Sequence, residues 1–453
     1  GGWFRAAMKD IDKAAFTRAD LIEALGGRLP VALEGNTDGV PFGPRGILEY
    51  AADQLGMRVT EARQPHEREG HERYTTVPVL REEAAIYKLI GARNLAAAVP
   101  KDVADTAVKK ARLSADQAAA VGAIATSPWL IQVLSAPAGA GKTTSLRALR
   151  DAAKKCGITR VLLAAPTGNA ADVALAEKAA DGGGTVASTL KALRDKRLVL
   201  DAQTLLVVDE AGMVGTPALH RLLAAASAAG TKTVLVGDAE QLAPVKARGG
   251  MFAQLCTDLP WAQKLTEVWR MRDAEERAAS LAIHEGTPAS LTQATDWYRS
   301  HRRLHIGDPV TMAHDALTAW SNDRANGVDS LLIADRWQIA DALNERIHRT
   351  VVAEDAPTVG GARRHRIGVG DTIITRRNDP TIGIYPRGSR EPVAGAPPVR
   401  NGQRWTVTHI DTEVNRLRAV RIGDHASAVL SGDYLRAHVH HGYAVTVHAA
   451  QGA

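Results

Sequence analysis

The sequence predicts an α/β fold built on a parallel sheet, and three observations carry that prediction. Apolar runs of strand length stand at 131–134, 161–165, 205–208 and 234–236. Helical patterns lie between them, at 140–155, 169–178 and 217–229. The first apolar run leads into Ala136-Pro137-Ala138-Gly139-Ala140-Gly141-Lys142-Thr143, a small-residue loop that opens a helix. Short strands with no polar alternation are buried on both faces, which a parallel sheet with crossover helices requires.

Bulk properties narrow the class. The chain has 453 residues, 45% of them hydrophobic and 23% charged, which is the composition of a globular protein. At roughly 150 residues per domain this length suggests about three domains. The two cysteines, Cys156 and Cys256, have no metal-ligand spacing and cannot form a disulfide framework, so a reducing compartment is expected. No apolar run reaches the ~20 residues of a membrane span, and no signal peptide is visible; the cytoplasm is the expected location. The net charge of +6 favours a polyanionic partner. The chain opens at Gly1-Gly2-Trp3 and stops at Gln451-Gly452-Ala453 inside what reads as a motif, so a fragment of a longer polypeptide is expected.

Residues 1–111 carry no strong motif. Helical patterns stand at 18–24, 47–55 and 81–98, with an extended lead-in at Thr75-Thr76-Val77-Pro78. The His- and Glu-rich stretch 65–73 has no standard metal spacing and reads as a solvated loop.

The chemistry begins at the small-residue loop. Pro137, Ala138, Gly139, Ala140 and Gly141 let backbone N–H groups close around a polyphosphate, and the helix N-terminus adds positive potential. Lys142 would reach the outer phosphates, the Thr143 hydroxyl would hold Mg²⁺, and Thr144 continues the cradle into the helix. Ala136 stands where a first glycine is usual, so the loop must tolerate a Cβ there. The run 205–208 ends in Asp209-Glu210, placing Asp209 to hold Mg²⁺ and Glu210 to deprotonate an attacking water. The run 234–236 ends in Gly237-Asp238-Ala239-Glu240-Gln241, and the Gln241 amide can sense a γ-phosphate. Arg270 is a candidate for stabilising charge on that phosphate. Gln117, ahead of the loop strand, can read the donor and acceptor of an adenine edge. Gly182-Gly183-Gly184 reads as a flexible loop.

Two segments suit a polymer track. Pro166, Thr167 and Asn169 close the second strand and open a helix, offering a hydroxyl, an amide and a helix N-terminus to backbone phosphates. Further on, 331–334 reads as a strand, 337–351 as its helix and 366–440 as a small all-β insertion. Helical character is not expected after it. The segment 443–452 reads as a strand running into a Gln-Gly turn. Thr446 and His448 share one face at period two to contact nucleic acid, while Gln451 and Gly452 reach the nucleotide. Arg363, Arg364, Arg366, Arg376 and Arg377 offer a basic patch. His438-Val439-His440 matches the metal triplet of strand-nicking nucleases, but no third His with a nucleophilic Tyr accompanies it, and a nicking site is not expected.

Taken in order, these segments resemble the motifs of superfamily 1 helicases. The likeness is greatest to the 5′→3′ branch with the RecD-like enzymes and the helicase part of TraI/TrwC-type conjugative relaxases. It spans about 112–453; Asn169 stands where a Lys is frequent in that family, and Ala187 where a His is. The resemblance implies two RecA-like P-loop domains, 112–275 and 276–453. The second carries an SH3-like β insertion at about 366–440, and a helical accessory region at 1–111 precedes both. It implies ATP and Mg²⁺ as cofactors, single-stranded DNA as partner, other conjugation proteins as candidate partners, and ATP-dependent 5′→3′ helicase activity. The family's last arginine motif would lie beyond Gly452, so a fragment that binds nucleotide and DNA with little turnover is one alternative. A RecD-like repair helicase is another; a P-loop kinase would not need the 443–452 segment.

Overall fold

The computed structural model describes residues 6–8, 10–29, 43–61, 70, 72–242, 244, 247–269, 271–389, 391–392 and 398–450. The chain forms two compact units, one of Gly1–Pro166 with Ala174–Arg272, the other of Thr167–Val173 with Asp273–Ala453.

The first unit opens with helices α1 (Arg18–Gly26) and α2 (Pro44–Leu55), which bury Leu21, Leu25, Ala51 and Ala52 around Phe16. Thr17 starts α1 through a capping box with Asp20. Strands β1 (Met57–Arg58) and β2 (Tyr74–Thr75) pair antiparallel and lead into α3 (Val77–Ile90). The sequence pattern places this helix at 81–98. It begins earlier because Pro78 suits a first helical turn, and it ends earlier because Gly91 caps it and Arg93 bridges to Trp129. Helices α4 (Lys101–Ala111) and α5 (Ala115–Thr126) complete the lead-in.

The core of this unit is a six-stranded, wholly parallel sheet. Its strands are β3 (Ile131–Ser135), β4 (Arg160–Ala165), β5 (Gly182–Thr185), β6 (Thr204–Val208), β7 (Lys232–Gly237) and β8 (Gln263–Lys264), in the order β5-β4-β6-β7-β3-β8. The crossovers are α6 (Lys142–Lys155), α7 (Gly168–Ala176), α8 (Val186–Arg194), α9 (Thr216–Ala228) and α10 (Met251–Asp258). Strands β3, β6 and β7 are buried along their whole length, as their unbroken apolar runs require. The triple glycine, expected as a loop, is edge strand β5. Gly183 has φ +152°, and a Cβ there would lie 1.9 Å from the Leu163 carbonyl oxygen, so the close approach of β5 to β4 needs glycine.

The second unit begins with α11 (Ala274–Glu285), α12 (Pro288–Ser300) and α13 (Pro309–Ala325). Strand β9 (Leu332–Ala334) and α14 (Trp337–Val351) follow where the sequence places them. β9 pairs in parallel with β17 (Ala444–Thr446), and the Asn344 side chain of α14 stitches the pair to the helix by accepting from the Tyr443 and Ala444 N–H groups and donating to the Ala444 carbonyl. Between them lies a β-rich insertion. A small pair, β10 (Val359–Gly360) with β11 (Arg366–Ile367), precedes an antiparallel sheet of order β15-β14-β13-β12-β16. Its strands are β12 (Thr372–Thr375), β13 (Arg404–Asp411), β14 (Arg416–Arg421), β15 (Ser427–Ser431) and β16 (Val439–His441), closed around fully buried Trp405.

Two expectations are corrected here. The insertion is not all-β, because α15 (Gly432–His438) links β15 to β16. The segment 443–452 is not one long strand either. β17 is bonded on one side only, to the three residues of β9, and after Thr446 the chain turns into α16 (Val447–Ala450). Thr446 and His448 therefore do not share a strand face.

Gly183→Ala is expected to cost the first unit about 1–3 kcal/mol or more, from a Gly-only backbone region and a steric clash. A urea midpoint for that unit equal to wild type is the contrary result.

Candidate active site

Parallel strands deliver their C-terminal ends to one edge, and β6, β7 and β3 are neighbours. The small-residue loop, Asp209-Glu210 and Asp238–Gln241 therefore emerge side by side. The loop is held by an Ala136 N–H bond to the Gly237 carbonyl (2.7 Å) and an Ala140 N–H bond to the Pro137 carbonyl (3.1 Å). Gly139 and Gly141 have φ +84° and +80°, whereas Ala136 is not among the positive-φ residues, which is why a Cβ is tolerated there. Pro137 and Ala140 are buried, and Ala138 is exposed.

Lys142 and Thr143 open α6, with Thr144 behind them. The Lys142 Nζ donates to Glu210 Oε1 at 2.7 Å, both side chains being mostly buried. Glu210 holds the left-handed conformation (φ 49°, ψ 43°), which costs a β-carbon residue about 1–2 kcal/mol and turns its carboxylate toward the lysine. Asp209 Oδ1 accepts from the Glu210 N–H at 2.9 Å. Burial raises the Asp209 pKa; Lys142 opposes that shift, and Glu210 adds to it. The Gln241 amide donates to Asp238 Oδ2 at 3.2 Å, one strand along the same edge.

Gln117 lies against the loop. Its amide NH₂ donates to the Ala140 carbonyl at 2.9 Å, and its oxygen accepts from the Ser114 N–H at 3.2 Å. The NH₂ end thus supports the loop while the oxygen closes a capping box at the start of α5, and reading an adenine edge requires one bond to exchange. The Trp269 N–H donates to the Gly139 carbonyl at 2.9 Å, and Asp116 accepts from the Thr266 and Glu267 N–H groups, so the irregular segment after β8 is tied to the loop at Trp269 and to α5 at Asp116. Arg270, Gln451 and Gly452 lie outside the described residues.

The candidate nucleic-acid contacts divide. Pro166 follows β4, and the Thr167 hydroxyl accepts from the Ala170 N–H at 3.2 Å to start α7, which carries Asn169. Thr446 is half-buried at the end of β17, and His448 is exposed on α16.

A buried cluster went unseen in the sequence. His348, Asp371 and His441 bring potential metal-ligand atoms within 4.8 Å of one another. The Asp371 carboxylate, however, already accepts from the Tyr443 hydroxyl (2.8 Å), the Gly368 N–H (2.8 Å) and His348 Nδ1 (2.8 Å). It is a hydrogen-bonded buckle between α14, β16 and β17. Neither His438 nor His440 of the nuclease-like triplet belongs to it; His438 pairs with Arg377 at 3.2 Å. The three partners are separated by up to about 95 residues and share no spacing, so no sequence signal marks them.

Comparison with known proteins bears on the family and the fold. The AAA domain family matches residues 112–309, and the Rv2311 SH3-like barrel domain matches 359–440. The conjugal transfer protein TraA of Agrobacterium fabrum is 31% identical over 84% of the chain, and the probable TraA of Sinorhizobium fredii 30% over 84%. The ATP-dependent RecD2 DNA helicase of Deinococcus radiodurans is 30% identical over 83% of the chain and 49% of its own length. The chain belongs to the superfamily 1 helicases. Within them it is related to the TraA type, and it spans 33% of the length of those TraA relatives. The SH3-like match covers the β insertion, beginning at 359 and so including the β10–β11 pair. No described helix is long and apolar enough to cross a membrane.

The histidines of the second unit predict acid sensitivity. Burial, then the neighbouring His441, holds His365 down to about 4; burial, then His365 and nearby arginines, holds His440 down to about 3. Both lie below the ordinary value of about 6.5, so the folded state binds fewer protons than the unfolded one. Their stabilisation is complete above pH ~6.5 and is lost as pH falls toward 4. Burial works against the Asp371 carboxylate too, but the His441 ring 3.7 Å away and the bonds from Gly368 and Tyr443 outweigh it and lower its pKa, so its share is lost at still lower pH. Calorimetry should show the second unit's unfolding temperature falling between pH 7 and 4.5, and a shallower fall in a His365→Gln/His440→Gln variant. Equal slopes would contradict the assignment.

Proposed function

We propose that this chain is an ATP-driven motor that moves 5′→3′ along single-stranded DNA, serving as the helicase part of a TraA-like conjugation protein. The observation that carries the reading is the Lys142–Glu210 pair at the shared edge of β3, β6 and β7. A buried ammonium and a strained carboxylate at the mouth of a phosphate cradle have matching tasks. When a triphosphate enters, Lys142 exchanges Glu210 for the outer phosphates, and Pro137 to Gly141 supply backbone N–H groups along the chain of phosphates. Glu210, released, accepts a proton from the attacking water. Gln241 senses the γ-phosphate, and Arg270 offsets the charge that develops there. Gln117 positions the loop and meets the base; Gln451 and Gly452 reach back to the nucleotide.

Thr143 and Asp209 form a hard oxygen donor set that suits Mg²⁺, which when bound neutralises phosphate charge and fixes its orientation. The raised pKa of Asp209 fits a carboxylate waiting for a cation. Pro166, Thr167 and Asn169 on the connection from β4 to β5, and Thr446 and His448 at and after the end of β17, contact the DNA backbone. Affinity for DNA is then mainly electrostatic and falls steeply with salt.

Glu210→Gln is expected to retain ATP binding but to lower DNA-stimulated hydrolysis by about 10²–10⁴-fold, the usual worth of a positioned base. Lys142→Ala is expected to weaken nucleotide binding and to stop ATP-driven movement while leaving nucleotide-free DNA binding nearly intact. Wild-type turnover by Glu210→Gln would remove the base from this mechanism, and wild-type movement by Lys142→Ala would end the motor reading.

A further inference from the structure

A second cleft lies wholly within the second unit, between the start of α14 and the β12–β16 edge. Its walls include Trp337, Asp341, Arg363, Arg376, His440 and Thr446. Three features set it apart from ordinary surface.

The first is an aromatic ring in the open. Trp337 is 49% exposed, whereas Trp405 in the same unit is fully buried. Its contact is a cation: the Arg363 guanidinium lies over the ring, 4.4 Å from its centre. The second is an excess of positive charge. The cleft's one acid, Asp341, is already engaged by Arg363 (3.1 Å) and by His365 (3.5 Å). Among the described residues Arg376 has no carboxylate partner, and the ring nitrogens of His440 have no hydrogen-bond partner. His440 is held edge-on against His365 at 5.8 Å, which fixes its orientation into the cleft. The third is strain. Arg363 and Arg364 are consecutive non-glycine residues with φ +52° and +63°, in a turn closed by the Gly361 N–H bond to the His365 carbonyl at 2.8 Å. Backbone of this kind persists where the surroundings enforce it, and it concentrates at ligand clamps.

An exposed ring beside an uncompensated guanidinium is the chemistry that holds a single-stranded nucleotide: the ring takes a base, and the guanidinium, with an imidazole N–H beside it, takes a phosphate. We propose that this cleft is a nucleotide subsite, in which Trp337 stacks one base and Arg376 with His440 grips the adjoining phosphate of a DNA strand. Arg363 lies over the ring and, when a base enters, moves aside or clasps it from above. The subsite rests on the translocase reading and adds to it the side chains by which the second unit holds its strand. Thr446, at the rim of the same cleft, joins it to the end of β17.

The test is fluorescence anisotropy of a labelled oligothymidylate with the whole chain and no ATP. Trp337→Ala and Arg376→Gln are each expected to weaken binding about tenfold, within the range known for lost base stacking. Trp337→Phe should retain most of the affinity, and Arg376→Gln should reduce the dependence of log affinity on log salt by about one. An ATP analogue should bind all variants as it binds wild type, showing the first unit intact. Wild-type oligomer binding by both Trp337→Ala and Arg376→Gln overturns the subsite and leaves the translocase reading standing. A wild-type chain that binds the ATP analogue but no polynucleotide overturns both. Free thymidine monophosphate should compete only at far higher concentration; competition at the oligomer's own concentration makes this a mononucleotide pocket and overturns the strand assignment.

Discussion

The parallel register of β6, β7 and β3 is the constraint on which the rest of the candidate active site depends. Because the three strands are adjacent and point the same way, the residues that follow Val208, Gly237 and Ser135 must emerge on one edge. No side chain has to search for the site. Small residues then let the pieces close up: a Cβ on Gly141 would meet the Gln117 amide nitrogen at 2.2 Å, and one on Gly237 would press on the Ala211 N–H at 3.1 Å. The Lys142–Glu210 contact is a consequence of this edge, with the left-handed turn at Glu210 supplying the last few ångströms.

What was legible in the sequence follows from how local the signal is. The apolar runs at 131–134, 161–165, 205–208 and 234–236 are self-contained, because a strand buried on both faces writes its burial into every residue. β5 was missed for the opposite reason. Its glycines carry no apolar signal, and its strand character comes from how closely it lies against β4. The break after Thr446 was missed because β17 is set by β9, more than a hundred residues away. The helix α15 inside the β insertion escaped notice since Gly432 to His438 is too short and polar for a helical pattern to stand out. In the site, motif residues were readable because their chemistry is tied to strand ends. The support that Gln117 gives the loop through its amide NH₂ was not.

The second unit is organised by a different device. Asp371 is completely buried, yet it sits among the Tyr443 hydroxyl, the Gly368 N–H and the ring of His348. A buried carboxylate without such partners would be costly; with them it ties a helix, a sheet edge and the start of β17 into one piece. That buckle anchors Tyr443, the residue before β17, and the strand then runs in register with β9 as far as Thr446. Stacked His348, His441 and His365 extend it toward the cleft, where His440 begins. The structural network and the proposed nucleotide subsite are thus consecutive parts of one histidine-rich strand edge, and the buckle holds rigid what the cleft presents.

A common logic governs the cations of both units. Lys142 rests on Glu210 within the phosphate cradle, and Arg363 rests on Trp337 and Asp341 at the second cleft. A bare cation in a half-buried site would be expensive, so each is given an internal partner that a ligand must replace. The exchange sets the net gain from binding well below the gross attraction of phosphate for ammonium or guanidinium. It also adds discrimination, because a ligand must match the displaced partner's geometry as well as its charge. In the proposed mechanism the partner displaced from Lys142 is the carboxylate assigned as the base, which would make binding and activation of the base one event. At the proposed subsite Arg363 is itself the group exchanged, since it covers the ring face that a base would take.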